Sequence, residues 1–350
     1  MFVFPLQRNP NRILISNKSF ILLITIYVSS YAIAIYIKTT LNLSSVFKNL
    51  LIINFLLTIV AVISYFTDFA NYFWWQMNYT TAYNELLRLK MLVSEPSLYA
   101  TFILPLFAFY FLSFFKLKTH KNLIYLILIL IPLLLTYSLG VISGFIIALC
   151  LTFLIQVFRH FISVRFLNMY LYLSLLCLTL ILLLAILYPD NPIFVRISMV
   201  LNNQDTSSNG RTTDAFYIAY EIAKMKSLIW GVGLGQVKLI GHDFIINFYN
   251  YTDTSMTVRI PNVVADTFAT FGIVGIIIRF GAIFYLFFKT KVLTNYYRTL
   301  LFFFIFVYQF TGSYYHNLAE YTIWILAFSN SFPQFNLNNK FSKNENSFSV

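Results

Sequence analysis

Apolar runs about as long as a bilayer is thick dictate what this chain can fold into. Crossing ~30 Å of hydrocarbon takes roughly 20 apolar residues in a helix. Windows of ~19 residues pick out segments at 19–37, 46–66, 98–115, 123–137, 141–158, 166–188, 263–288, 300–310 and 318–328, the last two being short. The expected fold is an all-α polytopic membrane protein with about nine transmembrane helices, since helices alone among open structures satisfy their own backbone in lipid. Of the 350 residues, 59% are hydrophobic and 10% charged, with mean hydropathy +0.75. That balance excludes a soluble globular protein, and it equally excludes a disordered chain, a collagen or a coiled coil. The first apolar segment is too long and too rich in tyrosine for a secretory signal core, and no small-residue cleavage site follows it, so it is expected to stay in the mature chain.

Two hydrophilic stretches interrupt the apolar pattern, at 67–96 and 189–262. With alternating helices, Lys116, Lys118, Lys121, Arg159, Arg165, Lys289, Lys291 and Arg298 fall in short loops on one side, which the positive-inside tendency makes cytoplasmic. All of the 12 acidic residues except Glu345 then lie on or beside the opposite face. Both long stretches are therefore read as outer loops of one multi-pass domain at 1–335, the longer one periplasmic, with a cytoplasmic polar tail at 336–350. Arg8, Arg12 and Lys18 run against this scheme, since it leaves the N-terminus outside. The 24 Lys and Arg are spread thinly and form no basic run, which points to orientation signals and contacts with membrane lipids and gives no nucleic-acid site. Cys150 and Cys177 sit inside apolar runs as small hydrophobes.

Residues able to do chemistry gather on the outer rim. Arg88 and Ser94-Glu95-Pro96 close the first outer loop and lead into a helix. A guanidinium and a carboxylate beside a helix start suit a phosphate-linked substrate and a base; Ser94 or Glu95 acting as a simple cap, with Arg88 on lipid headgroups, is the structural alternative. In the long loop, Gly210-Arg211 opens an amphipathic stretch at 215–225 whose apolar face is read as Phe216, Ala219, Ile222 and Ala223, lying along the membrane surface. Gly231-Val232-Gly233-Leu234-Gly235 follows. It lacks the βαβ setting and the spacing of a dinucleotide site, so a tight backbone turn is the expectation. Arg259 and Pro261-Asn262 precede the next span, either as an interface anchor or, together with Arg211, as a pair of guanidiniums able to clamp a pyrophosphate through bidentate bonds. His316 and Glu320 would complete the rim, His316 as a proton relay or as an inert interfacial residue. Arg279 lies near mid-membrane, where charge is costly: it is read as substrate-binding or as a buried group bonded to helix carbonyls. No metal-ligand set and no nucleophile elbow stands out, and no cofactor is expected.

These pieces, in this order, resemble the family of O-antigen polymerases and O-antigen ligases. The resemblance runs from about Arg88 to Glu320: Arg88 with Ser94-Glu95-Pro96, Leu135-Thr136-Tyr137-Ser138 before a glycine-containing helix, Gly210-Arg211, the glycines at 231, 233 and 235, Pro261-Asn262, and Phe271-Gly272-Ile273-Val274-Gly275. Two positions depart from it. Leu139 stands where many relatives carry Arg, and Pro261 fills the place where ligases typically carry His; the second departure tilts the reading toward a polymerase. Relatives with additional N-terminal helices would account for the misplaced N-terminal charges.

The resemblance implies an integral membrane glycosyltransferase of the bacterial inner membrane that joins polyprenyl-pyrophosphate-linked oligosaccharide repeat units into O-antigen or capsular polysaccharide, without a metal. It further implies a chain-length regulator as a partner. Inverting displacement needs stabilisation of the departing pyrophosphate and removal of a proton from the acceptor hydroxyl. For the first, Arg211 and Arg259 are the candidates, supported by Arg88, with Asn262 and Arg279 also placed among the substrate-binding residues. For the second, the candidates are Glu95, His316 and Glu320. The alternatives are an O-antigen ligase acting on a lipid A-core acceptor, a polytopic transporter or flippase, and a membrane scaffold.

Overall fold

The computed structural model describes residues 10–77, 86–158, 198–202, 204–252, 258–312 and 317–337. Its helices follow the apolar segments. Four are long and apolar enough to cross a membrane: Asn17–Thr39 within α1 (Pro10–Thr39), α2 (Leu43–Ser64), α4 (Pro96–Leu117) and Val263–Thr294, which contains α11 (Val263–Lys289). Four shorter apolar helices join them: α5 (His120–Leu135), α6 (Leu139–Phe158), α12 (Tyr296–Tyr308) and α13 (Leu318–Phe328). The apolar segment at 166–188 lies outside the described residues. Exposed Phe20, Tyr27 and Tyr31 on α1 and Leu56 and Ile63 on α2 are what a lipid-facing helix presents.

The all-α expectation needs one correction, in the hydrophilic stretch 67–96. After a helical turn, α3 (Ala70–Phe73), strand β1 (Trp74–Met77) pairs antiparallel with β2 (Leu86–Leu89), Trp75 opposite Arg88. Tryptophan and leucine suit a half-buried pleated surface. Trp74 Nε1 donates to the Ala61 carbonyl of α2 at 2.8 Å, and Arg88 Nε to the Thr136 carbonyl at the end of α5 at 2.9 Å. Four-residue strands are too short to show an alternating pattern, which is why hydropathy windows pass over them.

The chain divides into two compact units. One comprises residues 37–205, 291–307 and 326–350. Its core is aromatic: Phe332 packs on Phe109 with ring centroids 4.6 Å apart and on Phe47 and Tyr297 at 5.0 Å. Arg298 is a correction to the loop reading, because it lies in the first turn of α12, buried, with Nε donating to the Ala327 carbonyl at 2.9 Å.

The other unit comprises residues 1–36, 206–290 and 308–325. After the turn α7 (Thr206–Asn209), α8 (Thr213–Lys224) buries Ala215, Ile218, Ala219, Ile222 and Ala223. The first four pack with Ala265 and Ala269 of α11 and with Ile245 and Ile246 of α10 (His242–Tyr249). Alanines four apart on both helices let the backbones approach closely. Phe216 is 40% exposed, so the buried face is turned by a residue from the one read in the sequence, and α11 takes the place expected of lipid.

α11 is broken at Gly272, whose φ of 64° and ψ of −159° are not helical. The segment before α9 (Val237–Ile240) fills the break with its backbone. Val232 N–H donates to the Ala269 carbonyl and Gly233 N–H to that of Thr270, each at 2.9 Å; in return Ile273 N–H donates to Leu228 at 3.0 Å and Val274 N–H to Ile229 at 3.2 Å. Only glycine permits this clasp. A Cβ at Gly231 (φ 66°) would stand 2.5 Å from the Thr270 carbonyl, and one at Gly272 would stand 2.3 Å from that of Ile229. Gly281, further along α11, has nothing within 4 Å of such a Cβ. Gly231→Ala and Gly272→Ala are therefore expected to lower the thermal unfolding midpoint in detergent by several degrees, and Gly281→Ala to leave it unchanged or raise it slightly. A Gly272→Ala protein as stable as Gly281→Ala would show that the clasp is dispensable.

Candidate functional site

The head of α11 is organised by Asn262. Its side-chain carbonyl accepts from the Val264 and Ala265 amides at 3.1 and 3.0 Å, capping the helix. Its amide group donates to the main-chain carbonyls of Arg211 at 2.8 Å and Phe310 at 2.6 Å. The residue is fully buried. Four bonds use up what an amide side chain offers in donors and serve its acceptor twice, so Asn262, which the sequence reading placed among the substrate-binding residues, ties the chain together at this cap. The turn bearing Arg211 is thereby tied to the same cap that Arg259 precedes by three residues. Arg211 is half-buried and Arg259 exposed.

Below the cap stands a set of charges of which the sequence reading had singled out only some. Asp266, in the first turn of α11, is 6% exposed. Lys238 on α9, Arg259 and Arg279 all act on it electrostatically. Burial, and after it the charge of Arg259, pushes the Lys238 ammonium below the usual lysine range, with Asp266 opposing. Neither Lys238 nor Asp266 belongs to a recognisable motif, and the only signal for Asp266 was its place in the outward acidic set.

Arg279 is neither free in a substrate path nor bonded to helix carbonyls. Its guanidinium pairs with Glu320, and its Nε donates to Gln309 Oε1 at 3.1 Å. Trp324 Nε1 adds a 3.3 Å bond to the same carboxylate oxygen. Glu320 is 1% exposed. A carboxylate held this way is a counter-ion for the arginine of α11. His316 lies outside the described residues.

In the other unit, Arg88 is 8% exposed and reaches the end of α5, where Thr136 and Ser138 of the Leu135–Ser138 motif are also buried. Glu95 stands at the N-cap position of α4 without a side-chain capping bond, half-buried, and its Oε2 accepts from the Ser97 hydroxyl at 3.3 Å. Among the described residues no three His, Cys, Asp or Glu side chains gather as a metal site would require.

Residues 124–280 match the family model described as O-Antigen ligase. No curated protein matches the chain. This is the family that the sequence motifs resemble, and its domain spans the Leu135–Ser138 motif, Gly210-Arg211, both partners of the glycine clasp, Asn262 and Arg279. Residues 124–280 are thus similar to the O-antigen ligase family, in a chain whose described residues hold four helices long and apolar enough to cross a membrane.

Breaking a buried ion pair on one side strands the other charge, at roughly 3–5 kcal/mol, whereas replacing both partners costs much less. Arg279→Met and Glu320→Gln should each destabilise the protein strongly, and the double variant should recover most of the loss in thermal unfolding. Additive losses in the double variant would mean that the two groups do not act as a pair.

Proposed function

We propose that this protein is an inverting glycosyltransferase of the outer leaflet that joins polyprenyl-pyrophosphate-linked oligosaccharide repeat units into O-antigen or capsular polysaccharide in the bacterial inner membrane. The observation that carries the reading is the Asn262 tie. It holds the Arg211 carbonyl at 2.8 Å from a residue three positions after Arg259, so the two ends of the long loop come to one cap. Guanidiniums on adjoining turns suit a diphosphate, because each presents a planar fork to phosphoryl oxygens. The family domain supports the substrate class.

In this mechanism the acceptor hydroxyl oxygen attacks the anomeric carbon of the donor sugar from the side opposite the leaving group. The bond from that carbon to the diphosphate oxygen breaks, and its electron pair leaves with the lipid diphosphate, whose growing charge Arg211 and Arg259 stabilise. The acceptor proton goes to a base. Glu95 carries that assignment, with His316 as its rival, since Glu320 is committed to Arg279. Pro261, where ligases typically have His, favours the polymerase over the ligase. The chain-length regulator belongs to the same reading as a partner.

A cell lacking this protein should display single repeat units on the final acceptor and no ladder of longer chains. Arg211→Lys and Arg259→Lys, which keep the charge and lose the fork, should each lower polymer yield at equal protein level. Long polymer accumulating on the lipid carrier in the deletion strain would reassign the protein as a ligase, and normal ladders from both lysine variants would remove the clamp.

A further inference from the structure

Lys238 is a cation set where simple electrostatics disfavours one. It is half-buried on α9, and the charged groups that act on it are Arg259, a like charge, and Asp266. Among the described residues its ammonium makes no hydrogen bond or ion pair. Its location is nevertheless fixed. The clasp ties residues 228–233 to α11, and Val237, next to Lys238, is buried in the same core as Ala265 and Ala269, which flank Asp266 on that helix. Two cations kept within reach of each other in partly desolvated surroundings repel. A multiply charged anion between them turns that repulsion into binding.

We propose that Lys238 is a third cationic ligand of the diphosphate, beside Arg211 and Arg259, and that Asp266 is the positioning counter-charge that keeps Lys238 and Arg259 together before the anion arrives. The inference rests on the diphosphate reading above and adds a binding residue to it. Lysine suits the role as a compact point charge with three donors that needs no fixed plane. Asp266 lowers the cost of assembling the cations, and it also competes with the anion for them. Removing its charge should therefore not weaken anion binding, which separates it from a group that contacts the ligand.

The test is calorimetric binding of inorganic pyrophosphate to the full chain in phosphatidylcholine nanodiscs, with inorganic phosphate as the comparison. Lys238→Met should weaken pyrophosphate binding by about 10-fold, as loss of a charge-assisted contact does, and should narrow the preference over phosphate. Lys238→Arg should keep the affinity. It should also flatten the alkaline fall: a bound anion favours the protonated ammonium, whose titration burial and Arg259 have moved below the usual lysine range, so wild-type affinity should drop as pH rises through that lowered value. A guanidinium does not titrate there, and the titration of pyrophosphate itself is common to both proteins. Asp266→Asn should bind as tightly as wild type or more tightly. Wild-type affinity in a folded Lys238→Met protein, or equal alkaline falls in wild type and Lys238→Arg, would overturn the Lys238 assignment and leave the arginine clamp standing. Asp266→Asn losing affinity as Lys238→Met does would overturn the counter-charge role. Absence of pyrophosphate binding by the wild type would overturn the diphosphate reading and this inference with it.

Discussion

An exchange of four main-chain hydrogen bonds between residues 228–233 and 269–274 holds the long hydrophilic loop to α11, and the candidate site depends on it. Hydrocarbon offers no partner for an unpaired amide or carbonyl, so a helix that breaks inside a span must find substitutes from the protein. Here a second strand of main chain supplies them on both sides of Gly272. Each partner satisfies backbone groups of the other: the break in α11 takes its hydrogen bonds from the glycine segment, and the glycine segment takes its own from the break. The pairing gives the long loop a defined depth as well as a defined register.

Charge inside the span is managed by the same logic of local satisfaction. Arg279 meets Glu320 across helices, and Gln309 and Trp324 take up further hydrogen-bonding capacity around the pair. A neutral, hydrogen-bonded unit costs far less in low dielectric than either ion alone. Nearer the surface the arrangement is different in kind. Lys238, Arg259 and Asp266 act on one another electrostatically, half-buried, exposed and buried respectively.

Much of this could be read from residues before any coordinates, and the limits follow from what each signal records. Apolar length placed the described helices, because the bilayer imposes it on composition directly. The glycines at 231, 233, 272 and 275 were visible as two separate motif pieces, but not as partners: a main-chain hydrogen bond leaves no side-chain signature, and the turn that seemed sufficient for Gly231 gave no reason to look across to Gly272. Asn262 was noticed for its place before a helix and assigned to substrate, although asparagine there is equally a cap, and its reach to the Arg211 and Phe310 carbonyls depends on tertiary contact. Arg279 was recognised as costly, and its partner Glu320 was assigned elsewhere because the two are far apart in sequence. The β-hairpin was missed for want of length, and Lys238 because it sits in an apolar stretch without a motif.

The clasp and the Asn262 cap together hold the long polar loop against α11. The clasp fixes residues 228–233 to the middle of α11, and the cap fixes Arg211 to its head; the chain between them, α8, packs its alanine face along the intervening turns. Arg211 and the segment leading to Lys238 are thus held at both ends of one short packed frame, with Asp266 on the helix that forms its floor. A substrate with its diphosphate at the lipid surface and its sugars in water has its most strongly charged part at a single depth. Flexible loop arginines would each lose rotamer and backbone entropy in finding that depth. Fixing the frame by main-chain bonds moves this loss into folding; on the function proposed above, more of the attraction between cations and diphosphate would then remain for the departing group.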